Sequence, residues 1–115
     1  MHQKIGSVIG RAQSNLDLAV TFNRRTALGD NKANREAIYY AKRAANFVGK
    51  EIHLELATTI LSTYAKALQD RGGRQWVSNT KKAEALIAQG IQLAKAEGNL
   101  PVEQALRLTR AQILL

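Results

Sequence analysis

Cysteine is absent from this 115-residue chain, which removes disulfides and thiolate sites together. A single proline, Pro101, leaves long stretches without a helix breaker. Aromatic residues make up only 5%, while alanine and leucine dominate, as in helix-on-helix packing. No apolar run approaches the roughly 20 residues of a membrane span. The first residues, Met-His-Gln-Lys-Ile-Gly, lack the apolar core and small-residue cleavage site of a signal peptide. Together these absences lead us to expect a cytoplasmic protein.

Against these gaps stands a hydrophobic content of 45%, too high for a disordered chain. One helical domain over residues 1–115 is long enough to enclose a core. The formal net charge is +8, unevenly spread. Residues 1–50 hold nine Lys/Arg against Asp17, Asp30 and Glu36, giving +6, whereas residues 51–115 hold eight against six, giving +2. A basic N-terminal half favours acidic partners: protein, nucleic acid or anionic lipid.

One small-residue pattern occurs twice. Ile38, Ala41, Ala45 and Gly49 recur as Ile87, Gly90, Ala94 and Gly98, all at an offset of 49 residues. In each copy a helix with a small-residue face ends at glycine and a second amphipathic segment follows, the sequence signature of stacked helical hairpins. A second correspondence, at offset 45, pairs Ile9 with Leu54, Ala12 with Ala57, Leu16 with Leu61 and Ala19 with Tyr64. An ordinary helical bundle with chance recurrence of Ala and Leu is the competing reading.

The periodicity predicts five helices. The first covers 4–27, with Ile5, Val8, Ile9, Ala12, Leu16, Ala19 and Val20 in one stripe and a stop at Gly29; Asp30 or Asn31 can cap the next. The second runs 32–48 and buries Ala37, Tyr40, Ala41, Ala44, Phe47 and Val48, ending at Gly49. The third, 51–70, carries two apolar stripes (Leu54, Ala57, Leu61, Tyr64, Leu68 and Ile52, Leu56, Ile60, Ala67) and one narrow polar strip of Glu55, Thr59, Ser62, Lys66 and Gln69. A helix apolar on two sides must be covered on two sides, so it is expected at the centre. Residues 70–79, with Gly72 and Gly73, read as the one long loop. The fourth helix runs 80–97 to Gly98, and the fifth starts at Asn99, Leu100 and Pro101.

With those residues in view, the chain resembles the tetratricopeptide repeat family over residues 33–115. Ala37, Tyr40 and Ala44 match the small–aromatic–small positions of a second repeat helix. Residues 82–99 look like another copy, and Leu56, Leu61 and Tyr64 look like a first helix between them. The offsets of 45 and 49 exceed the roughly 34 residues of the standard repeat, and longer repeats of the armadillo and HEAT type stay open. The resemblance implies an all-α fold of antiparallel hairpins stacked as a short α-solenoid, and a sensor or scaffold role that binds peptides or partner domains.

Catalytic chemistry has little to draw on. His2 and His53 lie far apart, and Glu51, His53 and Glu55 cluster at a helix start without metal-ligand spacing. Glutamates there are explained by the helix dipole. No phosphate-binding glycine loop or nucleophile–base set is present. We therefore expect no enzyme and no cofactor.

Basic residues carry the remaining signal. Arg24, Arg25, Lys32 and Arg35 gather at one end of an antiparallel first hairpin, where they can grip an acidic peptide or phosphates. Lys42 and Arg43 lie further along, and Arg71, Arg74 and Trp76 form a second basic, aromatic cluster with Lys81 and Lys82. Tyr39, Arg43 and Tyr64 are the candidate contact residues of a groove between the first and third helices. Ile113, Leu114 and Leu115 end the chain with the apolar pattern still running. That favours a continuing repeat array, self-association or a docking surface over simple fold-back. The sequence thus points to a protein-binding helical module, with a nucleic-acid-binding protein and a structural subunit of a larger assembly as the alternatives.

Overall fold

Five helices follow one another in the computed structural model: α1 (His2–Ala27), α2 (Ala33–Ala45), α3 (Leu54–Asp70), α4 (Trp76–Ala96) and α5 (Leu100–Leu114). It describes the backbone of residues 2–49, 52–71 and 76–114, and the side chains of 8–49, 52–71 and 76–113. Among these there is no strand, so the fold is all-α, and no helix is long and apolar enough to cross a membrane. Ile5, Lys50, Glu51, Gly72, Gly73, Arg74, Leu114 and Leu115, all used in the sequence reading, lie outside the described side chains.

Glycine takes the left-handed backbone positions between the helices. Gly29, Gly49 and Gly98 all have positive φ, at 104°, 89° and 67°, a region that costs L side chains steric strain. At Gly29 the Asp30 N–H donates to Arg25 O and the Gly29 N–H to Thr26 O; at Gly98 the Asn99 N–H donates to Ala94 O and the Gly98 N–H to Lys95 O. These are paired Schellman closures. Asn99 then turns the chain into α5, its Oδ1 accepting the Val102 N–H at 3.1 Å.

Helix α2 ends at Ala45, three residues short of the predicted boundary. Phe47 and Val48 instead lie in tight turns, their N–H groups donating to Ala44 O and Ala45 O, yet both still pack on the cluster of Ala12, Leu16, Ala44, Leu56 and Ile60. Helix α4 begins at Trp76 rather than at 80, which shortens the expected loop. Trp76 and Val77 are exposed in its first turn.

The histidine at the α3 start has a structural role. His53 has extended backbone, and its Nδ1 accepts the Leu56 N–H at 3.2 Å, satisfying one of the free donors of the first turn. Replacing it with alanine is expected to cost about 1 kcal/mol, and His53→Asn to cost a few tenths. Urea unfolding midpoints with unchanged slopes would check this; an unchanged midpoint in His53→Ala would show that the imidazole cap contributes nothing.

Packing follows the small residues. Ala12 and Leu16 meet Ala44, while Ala19 meets Ala41 and the Phe22 ring stacks on Tyr40 at 5.7 Å. Ascending residues of α1 therefore face descending residues of α2: the pair is antiparallel. Asn34 at the start of α2 donates to Ala67 O near the end of α3 at 2.9 Å, so α2 and α3 are antiparallel too. Helix α4 packs on α3 through Ala65, Ala83 and Ile87, and on α5 through Ile87, Ile91, Leu106 and Ile113. At Gly90 an added Cβ would sit 3.1 Å from Leu106 Cδ1 and 3.6 Å from Leu61 Cδ1, so the absence of a side chain brings three helices together there.

Helix α3 is the central element. It contacts α1, α2 and α4 and buries residues on two sides, with Ile60 and Leu61 almost fully enclosed. Its polar strip, Glu55, Thr59, Ser62, Lys66 and Gln69, reaches solvent, as do Thr63 and Asp70 beside it. Helices α1 and α3 run parallel, since Leu16 shares a cluster with Ile60 and Asn23 bonds to Thr63. Ala12 and Ala57, Leu16 and Leu61, Ala19 and Tyr64, which correspond at the 45-residue offset in the sequence, are all buried.

Candidate functional site

Two grooves open along the polar strip of α3. The first, about 350 Å³, lies between α1 and α3 and is lined by Val20, Asn23, Arg24 and Ala27 on one wall and Ser62, Thr63 and Lys66 on the other. The second, about 490 Å³, lies between α3 and α5, with Glu55, Thr58 and Thr59 facing Val102, Ala105, Leu106 and Thr109. Ser62 and Thr63 border both, so the two form one trough across the faces of three alternate helices. Thr58 and Thr59 donate their hydroxyls to carbonyls one turn back, Leu54 O and Glu55 O.

Charge divides the trough. Among the described residues no acid borders the α1/α3 half, where Arg24 and Lys66 are both exposed. Lys66 Nζ lies 3.6 Å from Asp70 Oδ2, a surface pair worth at most about 1 kcal/mol, so its charge stays available to a ligand. The α3/α5 half has one charged side chain on its rim, Glu55.

The basic residues singled out in the sequence fall in three separate places. Arg24 borders the trough. Lys32 and Arg35 line a cleft of about 640 Å³ at the start of α2, and Arg71 from the end of α3 joins them, with Thr26, Asn31, Asn34, Glu36 and Asp70. The two basic clusters thus meet, although two carboxylates share the cleft. Arg25 belongs to a third feature on the outer face of the α1–α2 hairpin. Its guanidinium lies 5.5 Å from the Phe22 ring, Phe22 stacks on Tyr40, Tyr40 meets Tyr39 edge-on at 5.0 Å, and Arg43 lies 5.5 Å over Tyr39. Arg43 also donates to Tyr39 Oη at 2.9 Å. Lys42 is exposed nearby, Trp76 is exposed on α4, and Arg74 is outside the described residues.

Tyr64 corrects the sequence reading. It is only 3% exposed and sits in the cluster of Ala19, Ala41 and Leu68, with Lys82 Nζ 5.2 Å from its ring centroid. The repeat of alanines that brings α1 and α2 close to α3 encloses the ring, so it belongs to the core and does not line a groove. The C-terminal apolar pattern is also partly accounted for. Leu106 and Ile113 pack on α4, leaving Leu100 and Leu108 exposed on α5.

Two asparagines went unread in the sequence. Asn23 and Asn34 are 6% and 5% exposed. Both bridge to carbonyls of α3 one turn apart, Asn23 Nδ2 to Thr63 O at 3.4 Å and Asn34 Nδ2 to Ala67 O at 2.9 Å. The available signal was positional: Asn23 falls seven, four and three residues after Leu16, Ala19 and Val20, on the apolar stripe of α1.

Among the described residues no group of three or more His, Asp or Glu side chains is placed to hold a metal ion. No family model, curated protein or solved structure matches this chain.

Proposed function

We propose that this protein is a non-enzymatic helical interaction module, a short α-solenoid of the tetratricopeptide type, that binds acidic segments of partner proteins. One observation carries the reading: α1, α3 and α5 contribute to a single trough, half of it bordered, among the described residues, by cations and no acid. The parallel direction of α1 and α3 and the positive φ common to Gly49 and Gly98 support the repeat architecture. Acidic ligands are favoured because Arg24 and Lys66 act over an apolar floor, where charge–charge attraction is less screened than in bulk water.

The test is a direct binding measurement. A fluorescently labelled glutamate-rich peptide is expected to bind, with affinity falling as salt rises. The double change Arg24→Glu and Lys66→Glu is expected to weaken binding roughly tenfold or more, whereas Lys42→Glu, a charge reversal away from the trough, changes it by less than about twofold. Equal losses from both proteins would show that net charge alone governs the affinity, and the groove reading would fall.

Nucleic-acid binding is the second reading, favoured by the Arg25–Phe22–Tyr40–Tyr39–Arg43 ladder. The exposed Tyr39, with the half-buried Phe22 and Tyr40 and two arginines, offers stacking surface and phosphate contacts. In that case an oligothymidine would bind with a steep salt slope, and Tyr39→Ala would weaken it while leaving the acidic peptide unaffected.

A further inference from the structure

Among the described residues, the outer face of α5 carries no unpaired charge, in a chain whose formal net charge is +8. Helix α5 packs chiefly against α4, through Leu106 and Ile113, and its opposite side meets solvent. Leu100 and Leu108 are 57% and 63% exposed, with the exposed Gln104 midway between them. The three follow one another at four-residue steps, along one side of the helix. Arg107 is the one charged residue among the exposed positions of α5 that the structure describes, and its Nε already donates to Glu103 Oε2 at 2.9 Å. The half-buried Arg110 donates to Glu84 Oε1 at 3.1 Å. A helix face that serves only solvent is normally charged, whereas the centre of a protein interface is depleted in charge.

We infer that this face binds a second copy of the chain, as an antiparallel α5–α5 pair about a two-fold axis at Gln104. The inference goes beyond the acidic-peptide reading and does not rest on it. A two-fold interface must be self-complementary, and the spacing meets that demand. Leu100 and Leu108 are equidistant from Gln104 in sequence, so antiparallel pairing sets each against the other in the partner. Gln104 then faces its own copy. An amide both donates and accepts, so the two can bond to each other, whereas an ionised side chain would meet its own charge. Electrostatics favours this face over the other exposed apolar residues. Leu18, Leu28 and Tyr39 belong to the half of the chain that carries +6, and Trp76 and Val77 begin a helix that continues with Lys81 and Lys82. Two copies meeting there would bring like charges together, while the charges of α5 are already paired within the chain. One side of a 15-residue helix makes a small interface, and small interfaces are weak, so a dissociation constant of about 1–100 μM is expected.

The experiment follows the full chain by sedimentation equilibrium from about 1 μM to about 1 mM. The expected result is a reversible monomer–dimer equilibrium that tightens as salt rises, because screening relieves the repulsion between two chains of charge +8. An acidic peptide in the trough has the opposite salt dependence, so the two readings succeed or fail separately. Leu108→Lys is expected to weaken the dimer at least about tenfold, and Leu28→Lys by less than about twofold. Leu28 is 88% exposed and lies in the turn after α1, away from α5. Both changes fall at exposed positions, so the fold is retained, which far-UV circular dichroism checks. Gln104→Glu and Gln104→Lys are each expected to weaken self-association about fivefold or more, and an equimolar mixture of the two to recover it as a heterodimer.

A monomer at every concentration up to about 1 mM would overturn the inference, whether the face is simply solvated or serves a different protein. Equal losses from Leu108→Lys and Leu28→Lys would do the same, since they indicate non-specific association. A dimer untouched by Leu108→Lys would place the interface elsewhere and also end it. A mixture of Gln104→Glu and Gln104→Lys that associates no more tightly than either variant alone would remove the two-fold pairing at that residue.

Discussion

Truncating Ile60 to alanine is expected to remove about 2–5 kcal/mol of unfolding free energy and to lower the melting temperature by roughly 10 °C or more. Thr59→Ala, one position along the same helix, is expected to change stability by no more than about 0.5 kcal/mol. The contrast tests the placement of α3. Ile60 has no exposed surface and packs with Ala12 and Leu16 of α1, Ala44 of α2 and Leu56 of its own helix. Two of these neighbours are alanines, with no reach into a void. Cavity cost at fixed chemistry depends on how far the surroundings can collapse, and here collapse requires helices to move. Thr59 is exposed, and its hydroxyl serves only Glu55 O of the preceding turn at 2.7 Å. Domains of this size are stable by about 5–15 kcal/mol, so the Ile60 loss takes a large share. Chemical and thermal unfolding followed by far-UV circular dichroism would decide it. Equal effects at 59 and 60 would mean that α3 is not enclosed on both sides, and the trough along its polar strip would lose its frame.

Much of this architecture is readable from residue type alone because few residues tolerate the positions concerned. Positive φ at helix ends selects glycine, so Gly29 and Gly98 mark two of the boundaries in advance, while Gly49 closes the turns that follow α2. Two apolar stripes on one helix require cover on two sides, and α3 has it. Close helix approach selects small side chains, and Ala41 and Gly90, equivalent at the 49-residue offset, are both buried at such approaches. The misplaced boundaries have a common cause. Periodicity reports which side chains face the core, not which backbone hydrogen bonds close. Phe47 and Val48 keep their apolar contacts while their N–H groups bond three residues back, so the pattern runs on after the helix has ended. At the other boundary Ser78, Asn79 and Thr80 have low helix propensity and read as loop, yet they lie within α4.

The candidate site was less legible for a different reason. Charge patterns record how many cations an element carries but not which neighbour it turns them toward. Arg24 and Arg25 are adjacent in sequence, yet one borders the trough and the other stacks on Phe22. Adjacent residues on a helix point about 100° apart, enough to assign them to different surfaces. Arg71 joins Lys32 and Arg35 only because α3 runs antiparallel to α2, a fact of packing that local composition does not contain. Asn23 is the opposite case. A polar residue on an apolar stripe is visible in sequence, but whether its second polar atom finds a partner depends on the helix packed against it.

Tyr64→Ala is expected to be among the most damaging single changes, with a loss of about 3–5 kcal/mol, the range of buried aromatic truncations. Tyr64→Phe is expected to cost under about 1.5 kcal/mol, since the ring volume is kept. The ring sits where Ala19 of α1 and Ala41 of α2 face α3, and their methyl groups cannot refill the space it occupies. Leu68 and the partly buried Ile38, Tyr40 and Leu86 are the larger side chains of this cluster, and they already pack against other atoms, so relaxation is incomplete. The Lys82 ammonium 5.2 Å from the ring centroid adds a smaller contribution, about 0.5–1 kcal/mol at a partly exposed site, which Tyr64→Phe largely retains. The same pair of variants separates a core tyrosine from a ligand-contacting one. A core role predicts a large fall in melting temperature for Tyr64→Ala, with Tyr64→Phe binding the acidic peptide like the native protein. Unchanged melting combined with lost binding in Tyr64→Ala would return Tyr64 to the groove, and would require α1 and α3 to stand further apart than their alanine contacts allow.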